Sequence, residues 1–317
     1  LEFDKSFLEE VPVPTGQIAV HPDQSVSLTT YNGILVREDT AFTNRKGVEK
    51  RGIRKRAEQA LDKLQEPLRK ILEPDEAVLY LARGQIMPGG IEQFFLGWHS
   101  YFLAPAMLVL TNRRLIHLLI TRNGAWKKST RSARWGDIEE AKVKGLLSAK
   151  LNIKYRDGTK EIYWGMVHDD SNKIQLLLEV LLPQAGGETS STLAMTNSCP
   201  ECSAALTPGV YECPRCRLQF KDEKTAMKRS ILIPGGGFFY TGHPFLGLMH
   251  AITDLILIVF AGVSAITALG IMQPPPAPDE KSTALVIVAM MVAILAFHKW
   301  MLIRVAQRLV RNYIPAS

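Results

Sequence analysis

Apolar residues are distributed along the chain in two regimes. From Phe245 to Met272, and again from Thr283 to Ile303, nearly every side chain is apolar or small, with no charge in the second run before His298 and Lys299. A helix rising about 1.5 Å per residue crosses a roughly 30 Å hydrocarbon core in about 20 residues, so each run predicts a membrane-spanning helix. Gln273 to Glu280 contains four prolines and cannot stay helical, so residues 273–282 predict a short outer loop.

Upstream the pattern is finer grained. Val78–Arg83, Met107–Leu110, Leu115–Ile120, Lys150–Tyr155 and Lys160–Trp164 read as strands, with Arg156-Asp-Gly-Thr159 as a hairpin turn. Ile174, Leu177, Leu178, Leu181 and Leu182 then line one face of a closing helix, and this order predicts a small β-barrel plugged at one end, over residues 74–185. Within residues 49–73, Ile53, Ala57, Leu61, Leu64, Leu68 and Ile71 recur at three- and four-residue steps, an amphipathic helix with a kink expected at Pro67. Residues 1–48 read as weakly structured, apart from a strand pair around Tyr31–Arg37. Leu1–Glu10 is acidic and shows no secretory-signal pattern.

The formal charge of +7 and pI near 9.2 predict an anionic partner, either phospholipid or nucleic acid. Lys221, Lys224, Lys228 and Arg229 precede the first apolar run, and Lys299, Arg304, Arg308 and Arg311 close the second. The positive-inside rule then places both termini in the cytoplasm, in an inner-membrane, multi-pass protein with a basic tail at 304–317. Asp254 and His250 lie one turn apart and read as a wetted interfacial pair at the cytoplasmic side.

All four cysteines fall in Cys199-Pro-Glu-Cys202 and Cys213-Pro-Arg-Cys216, two Cys-x-x-Cys knuckles separated by ten residues. Such turns present paired thiolates, and two of them complete a closed tetrahedral sulfur site that suits Zn²⁺ in a structural role, with iron as the competing metal. The segment 198–221 resembles the zinc-ribbon family, with Val210–Glu212 and Leu218–Phe220 as short strands, reached through a linker at 186–197.

Two further resemblances follow. Leu108-Val-Leu-Thr-Asn-Arg-Arg-Leu-Ile116 and Trp135-Gly-Asp-Ile-Glu139 resemble the bacterial pleckstrin-homology-like (PH-like) and GRAM-like domains, which implies binding to lipid headgroups or to protein. Arg113, Arg114, Arg122, Lys127, Lys128, Arg131 and Arg134 then supply charge for anionic lipid, each worth about 1 kcal/mol near the surface, or else form a solvated basic face. Gly84–Ala104, rich in aromatics, is longer than a plain strand connection and is read as an apolar hairpin dipping into the membrane interface. The Gly/Pro-rich stretch 222–244, ending in Phe238-Phe-Tyr-Thr-Gly-His-Pro244, resembles the approach to TM2-type two-helix modules.

The fold class expected is therefore a multi-domain α+β membrane protein, with a PH-like small barrel, a zinc ribbon and a two-helix hairpin. No nucleophile motif, phosphate loop or Rossmann fingerprint occurs, and His21, His99, His117 and His168 are not spaced as ligands, so a non-enzymatic protein is expected. The leading reading is a membrane-tethered adaptor for protein or anionic lipid. A nucleic-acid binder and an oligomeric channel or transporter subunit, the latter resting on Asp254, are the alternatives.

Overall fold

The computed structural model describes residues 27–103, 105–145, 149–184, 194–271 and 278–316. The expectations for residues 1–26, for most of the linker 186–197 and for the first half of the loop 273–282 lie outside them. Internal contacts divide the chain into two compact units, residues 1–87 with 104–219, and residues 88–103 with 220–317.

The first unit is built on one sheet. A hairpin of β1 (Leu28–Tyr31) and β2 (Ile34–Arg37) turns at Asn32 and Gly33, both at positive φ, the conformation that two-residue hairpin loops require. After α1 (Glu38–Ala41) and α2 (Arg51–Ile71), the strands β3 (Val78–Ile86), β4 (Ala106–Thr111), β5 (Arg114–Ile120) and β6 (Trp126–Arg134) form an antiparallel meander. A second meander follows, β7 (Ile138–Lys144), β8 (Lys150–Tyr155) and β9 (Lys160–Trp164), and α4 (His168–Gln184) ends it. The early part of β3 pairs with β4 and its last residues, Gln85 and Ile86, pair with β9, so β3 is the strand at which the sheet passes from one meander to the other.

Both faces of this sheet are covered, which explains why β4 and β5 read as continuous apolar runs rather than alternating ones. Leu61, Leu64 and Leu68 of α2 pack with Val109, Ile116 and Leu118 on one face. Ile174, Leu177, Leu178 and Leu181 of α4 pack with Leu108, Leu110, Leu151 and Ile153 on the other. The amphipathic helix read at 49–73 thus docks on its own domain and continues past Pro67, itself buried, to Ile71.

The barrel expected from the sequence is not closed. Among the described residues β7 pairs with β8 alone, and the far edge of β6 is taken by β10 (Thr196–Ser198), which with β11 (Ala205–Leu206) leads into the cysteine segment. Paired at Thr130–Ser132, β10 occupies the middle of the edge along which β6 would otherwise meet β7. β6 itself has no apolar run to announce it.

The second unit contains α3 (Gly90–Leu96), a 3₁₀ turn at Gly97–Phe102, and the C-terminal helices α5 (Glu223–Leu232), α6 (Gly236–Tyr240), α7 (Pro244–Ala268) and α8 (Pro278–Val310). The connection between β3 and β4 is therefore helical rather than the hairpin expected, and it folds with the C-terminal helices. Phe102 lies on Phe245 with ring centroids 4.3 Å apart, and Glu92 pairs with Arg308 at 2.6 Å. Helices α7 and α8 are long and apolar enough to cross a membrane, and side chains such as Ile256, Val259, Phe260, Val286 and Val292 are exposed.

Glycine permits the close approach of α6 to α7. Gly235 is left-handed at φ +65°, and a Cβ there would overlap the Gly247 carbonyl, while one at Gly247 would strike the Phe239 ring. The basic tail expected at 304–317 is not free: α8 runs to Val310, Tyr313 is buried, and Lys221 donates its N–H to the Ile314 carbonyl at 3.1 Å. Apolar Val305, Ala306 and Val310, interspersed among the arginines, are what anchor it.

Candidate functional site

The two cysteine knuckles are built alike. Ser203 donates its N–H to the Cys199 carbonyl at 2.9 Å and Arg217 donates to the Cys213 carbonyl at 3.0 Å, and both donors stand at positive φ. Each turn therefore folds its two thiols to one side. Cys199 Sγ lies 3.5 Å from Cys216 Sγ, Cys202 Sγ lies 3.5 Å from Cys213 Sγ, and all four sulfurs fall within 4.8 Å of one another. A tetrahedral ion with metal–sulfur bonds of about 2.3 Å separates its ligands by about 3.8 Å, so the four donors fit a metal ion.

The electrostatics point the same way. Burial pushes the Cys199 thiol up to about 12, whereas Cys213, despite burial, is brought down to about 7 by the backbone N–H groups of Cys216 and Arg215. Four sulfurs this close cannot all ionise without a cation among them. The strands expected at Val210–Glu212 and Leu218–Phe220 reduce to a single bridge, Glu212 with Gln219, and the regular pairing lies instead in β10 and β11 on the edge of β6. Nothing in the cysteine spacing signals that attachment.

Six of the seven basic positions read as a lipid or partner face fall into three groups. Arg113 pairs with Glu73 at 2.7 Å, Arg114 with Glu76 at 2.8 Å and Arg134 with Glu73 at 3.5 Å, tying the β4–β5 turn and the end of β6 to the chain that follows α2. Arg131 points into the fold: it donates to Glu161 Oε1 at 2.8 Å, and the fully buried Tyr155 and Tyr163 donate to Oε2 at 3.0 and 2.6 Å. Glu161 is on β9 and Arg131 on β6, so the pair bridges the two meanders, beside the buried ring of His117. Burial alone would raise the Glu161 carboxyl, but Arg131 holds it down at about 2. Lys127 is half-buried and Lys128 exposed, on the outer part of β6.

In the second unit the 88–103 segment presents Ile91, Phe94, Trp98 and Tyr101 to the outside, Phe94 being 88% exposed. Its other side covers a buried polar cluster. Asp254, read from the sequence as wetted, is fully buried. It accepts hydrogen bonds from His298 Nδ1 at 2.8 Å, Lys299 Nζ at 2.7 Å and the Gly235 N–H at 3.2 Å. His298 Nε2 meets His250 Nδ1 at 3.1 Å, and the His250 ring is stacked between Phe95 and Phe238. Asp254 is not wetted because partners 19 to 45 residues away enclose it. A signal existed: the few polar residues inside two apolar runs have chiefly each other to bond.

Comparison with known families finds that residues 72–176 match the family model described as Bacterial PH domain, spanning β3 through most of α4. No curated protein and no solved structure matches the chain. Residues 72–176 thus constitute a bacterial PH-like domain, in a chain that also carries two apolar C-terminal helices and a four-cysteine cluster.

Proposed function

We propose that this protein is a non-enzymatic, membrane-anchored adaptor. Helices α7 and α8 cross the inner membrane as a TM2-like hairpin, and the PH-like domain and a structural zinc ribbon present cytoplasmic surfaces to a protein partner or anionic lipid. The observation that carries this reading is the coexistence, in one chain, of a Bacterial PH domain match with two helices whose apolar side chains are exposed. PH-like domains serve lipid or protein recognition, and an anchor within the same chain raises the effective concentration of weak secondary contacts. The four thiol donors suit Zn²⁺ best, since a closed sulfur tetrahedron has no position for substrate and does not need a redox metal.

The cations around α5 and the end of α8 support a cytoplasmic placement of both termini, while the acidic start of α8, Asp279 and Glu280, marks the opposite end. Because Arg113, Arg114, Arg131 and Arg134 are engaged inside the domain, a protein partner is favoured over binding by charge to lipid alone.

The test is affinity capture of the full-length protein in native membrane discs, with and without nucleases, with metal quantified alongside. A stoichiometric protein partner and one zinc per chain is the expected result. Protein recovered alone, releasing nucleic acid on nuclease treatment, would replace the adaptor with a membrane-associated nucleic-acid binder.

Insertion has its own measurement. Trp300, on α8, and Trp98, on the 88–103 segment, are both exposed, and aromatic side chains favour the headgroup level. In discs made with brominated lipids, the quenching seen for the wild type is expected to fall in both Trp300→Phe and Trp98→Phe. A fall confined to Trp300→Phe would leave the hairpin in the bilayer and remove the segment from its interface. No fall in either would end the anchoring proposal.

A further inference from the structure

The buried cluster of the second unit is more than a neutralised carboxylate, and its hydrogen bonds fix where its protons lie. Lys299 balances the charge of Asp254, so the pair is neutral and an added proton contributes a net charge. With Asp254 Oδ1 at 2.8 Å, His298 carries its proton on Nδ1 and offers a lone pair at Nε2. His250 must then donate from Nδ1, 3.1 Å away, which leaves its Nε2 as a bare lone pair. That nitrogen is buried and has no hydrogen-bond partner among the described residues, on a residue 4% exposed. The Nε2 of His99 is likewise buried and unpartnered, on a ring 5.7 Å from that of His250.

The walls around these rings suit a cation. Phe95 and Phe238 stack on His250 with interplanar angles of 11° and 19° and centroids 5.6 and 5.0 Å away. Phe95 also lies 5.4 Å from the His298 ring. Aromatic faces within about 6 Å attract positive charge, and do so more strongly when water is excluded. The ionisable groups facing the pair are Asp254 from α7, Lys299 from α8 and His99 from the 88–103 segment. α5 contributes the Ser230 carbonyl, bonded to Lys299, and the chain at α6 contributes the Gly235 N–H and the Phe238 ring. Glu92, on the same segment as His99, is engaged by Arg308.

We propose that Asp254, His298 and His250 form a relay that binds one proton. An N–H bond forms at His250 Nε2, the N–H bond at His250 Nδ1 breaks, and its proton forms a new bond at His298 Nε2. The positive charge comes to rest on His298, against Asp254, and His250 ends neutral with its hydrogen on the other nitrogen. Nothing else is consumed or released. Proton binding therefore converts the free nitrogen of a ring lying against His99 from an acceptor to a donor, and the 88–103 segment is the element that experiences the change. This goes beyond the adaptor reading, and it holds whichever partner the PH-like domain takes.

The test is ¹⁵N-histidine NMR on the full-length protein in lipid discs, with His250→Gln and His298→Gln used for assignment. At pH 8, N–H is expected on Nδ1 of both residues. On acidification His298 should become doubly protonated while the His250 hydrogen moves to Nε2, in one shared step.

Asp254→Asn is expected to weaken proton binding by at least about tenfold, since an opposite charge in contact is removed. Because that variant threatens the fold, Phe95→Leu, which leaves every hydrogen bond of the relay in place, provides a second reading, with binding about threefold weaker. A His250 already protonated on Nε2 at pH 8, a His298 that never takes the second proton while the helices stay folded to pH 5, or an unchanged titration in Phe95→Leu would each overturn the relay.

Discussion

Stripping the metal from the four-cysteine centre, or replacing Cys199 and Cys213 together by serine, is expected to unfold residues 196–219 while leaving α2 and α4 in place. The segment has few other resources: two short strands, one bridge and few buried apolar side chains beyond Leu206. For structural sites of this kind apparent metal binding supplies about 10 kcal/mol or more of folding free energy, far above what two- and three-residue strands provide. Hydrogen exchange followed by mass spectrometry should show protection lost in 196–219 and, because β10 lies along β6, partial loss in Trp126–Arg134. A metal-free protein with unchanged protection in the cysteine segment would refute a structural role for the ion.

The second large effect is expected at Glu161. Its carboxylate receives Arg131, Tyr155 and Tyr163, and Glu161→Gln would leave the Arg131 guanidinium buried without its counter-charge. Breaking one side of a buried pair costs about 3–5 kcal/mol, and here the pair spans β6 to β9, which are not hydrogen-bonded neighbours in the sheet. Denaturant unfolding of the purified protein should show the PH-like domain losing stability by that amount, and a loss under about 1 kcal/mol would mean that the bridge contributes little.

The acid limb gives an independent check. Glu161 is held at about 2, below its ordinary 4.5, so the stability it contributes is full above pH 4.5 and disappears as pH falls toward 2. Burial, with Arg131 adding to it, lowers His117 from 6.5 to about 3, so the fold favours its neutral form and that contribution is lost between pH 6.5 and 3. Both act in the same direction. Removing the Glu161 carboxylate should flatten the decline below pH 4.5, and a decline as steep as in the wild type would locate acid sensitivity elsewhere.

How legible these features were depended on how local their causes are. β4 and β5 could be read because both of their faces are buried, so nearly every residue had to be apolar. The strands at Lys150–Tyr155 and Lys160–Trp164 were delimited by their own turn. β6 was not legible: Trp126–Arg134 carries four cations, and what makes it an interior strand is Arg131 meeting a glutamate 30 residues on. The cysteine cluster was readable from spacing alone, but its attachment to β6 was not. The 88–103 segment showed its aromatics but not its partners, since Glu92 bonds to Arg308, and His99 and Phe95 meet His250 and His298 only after the chain has returned.

That return has a consequence for biosynthesis. Glu92 and Arg308 are 216 positions apart, so at about 5–20 residues per second the ribosome needs roughly 10 to 40 s after making the first to supply the second. During that interval β3 and β4 can pair, but the aromatic stretch joining them has no surface of its own unit to rest on. A chaperone or nearby lipid is then the natural shelter for Phe94, Phe95, Trp98 and Phe102, and the synthesis of α8, rather than sheet formation, sets the earliest moment at which the second unit can close.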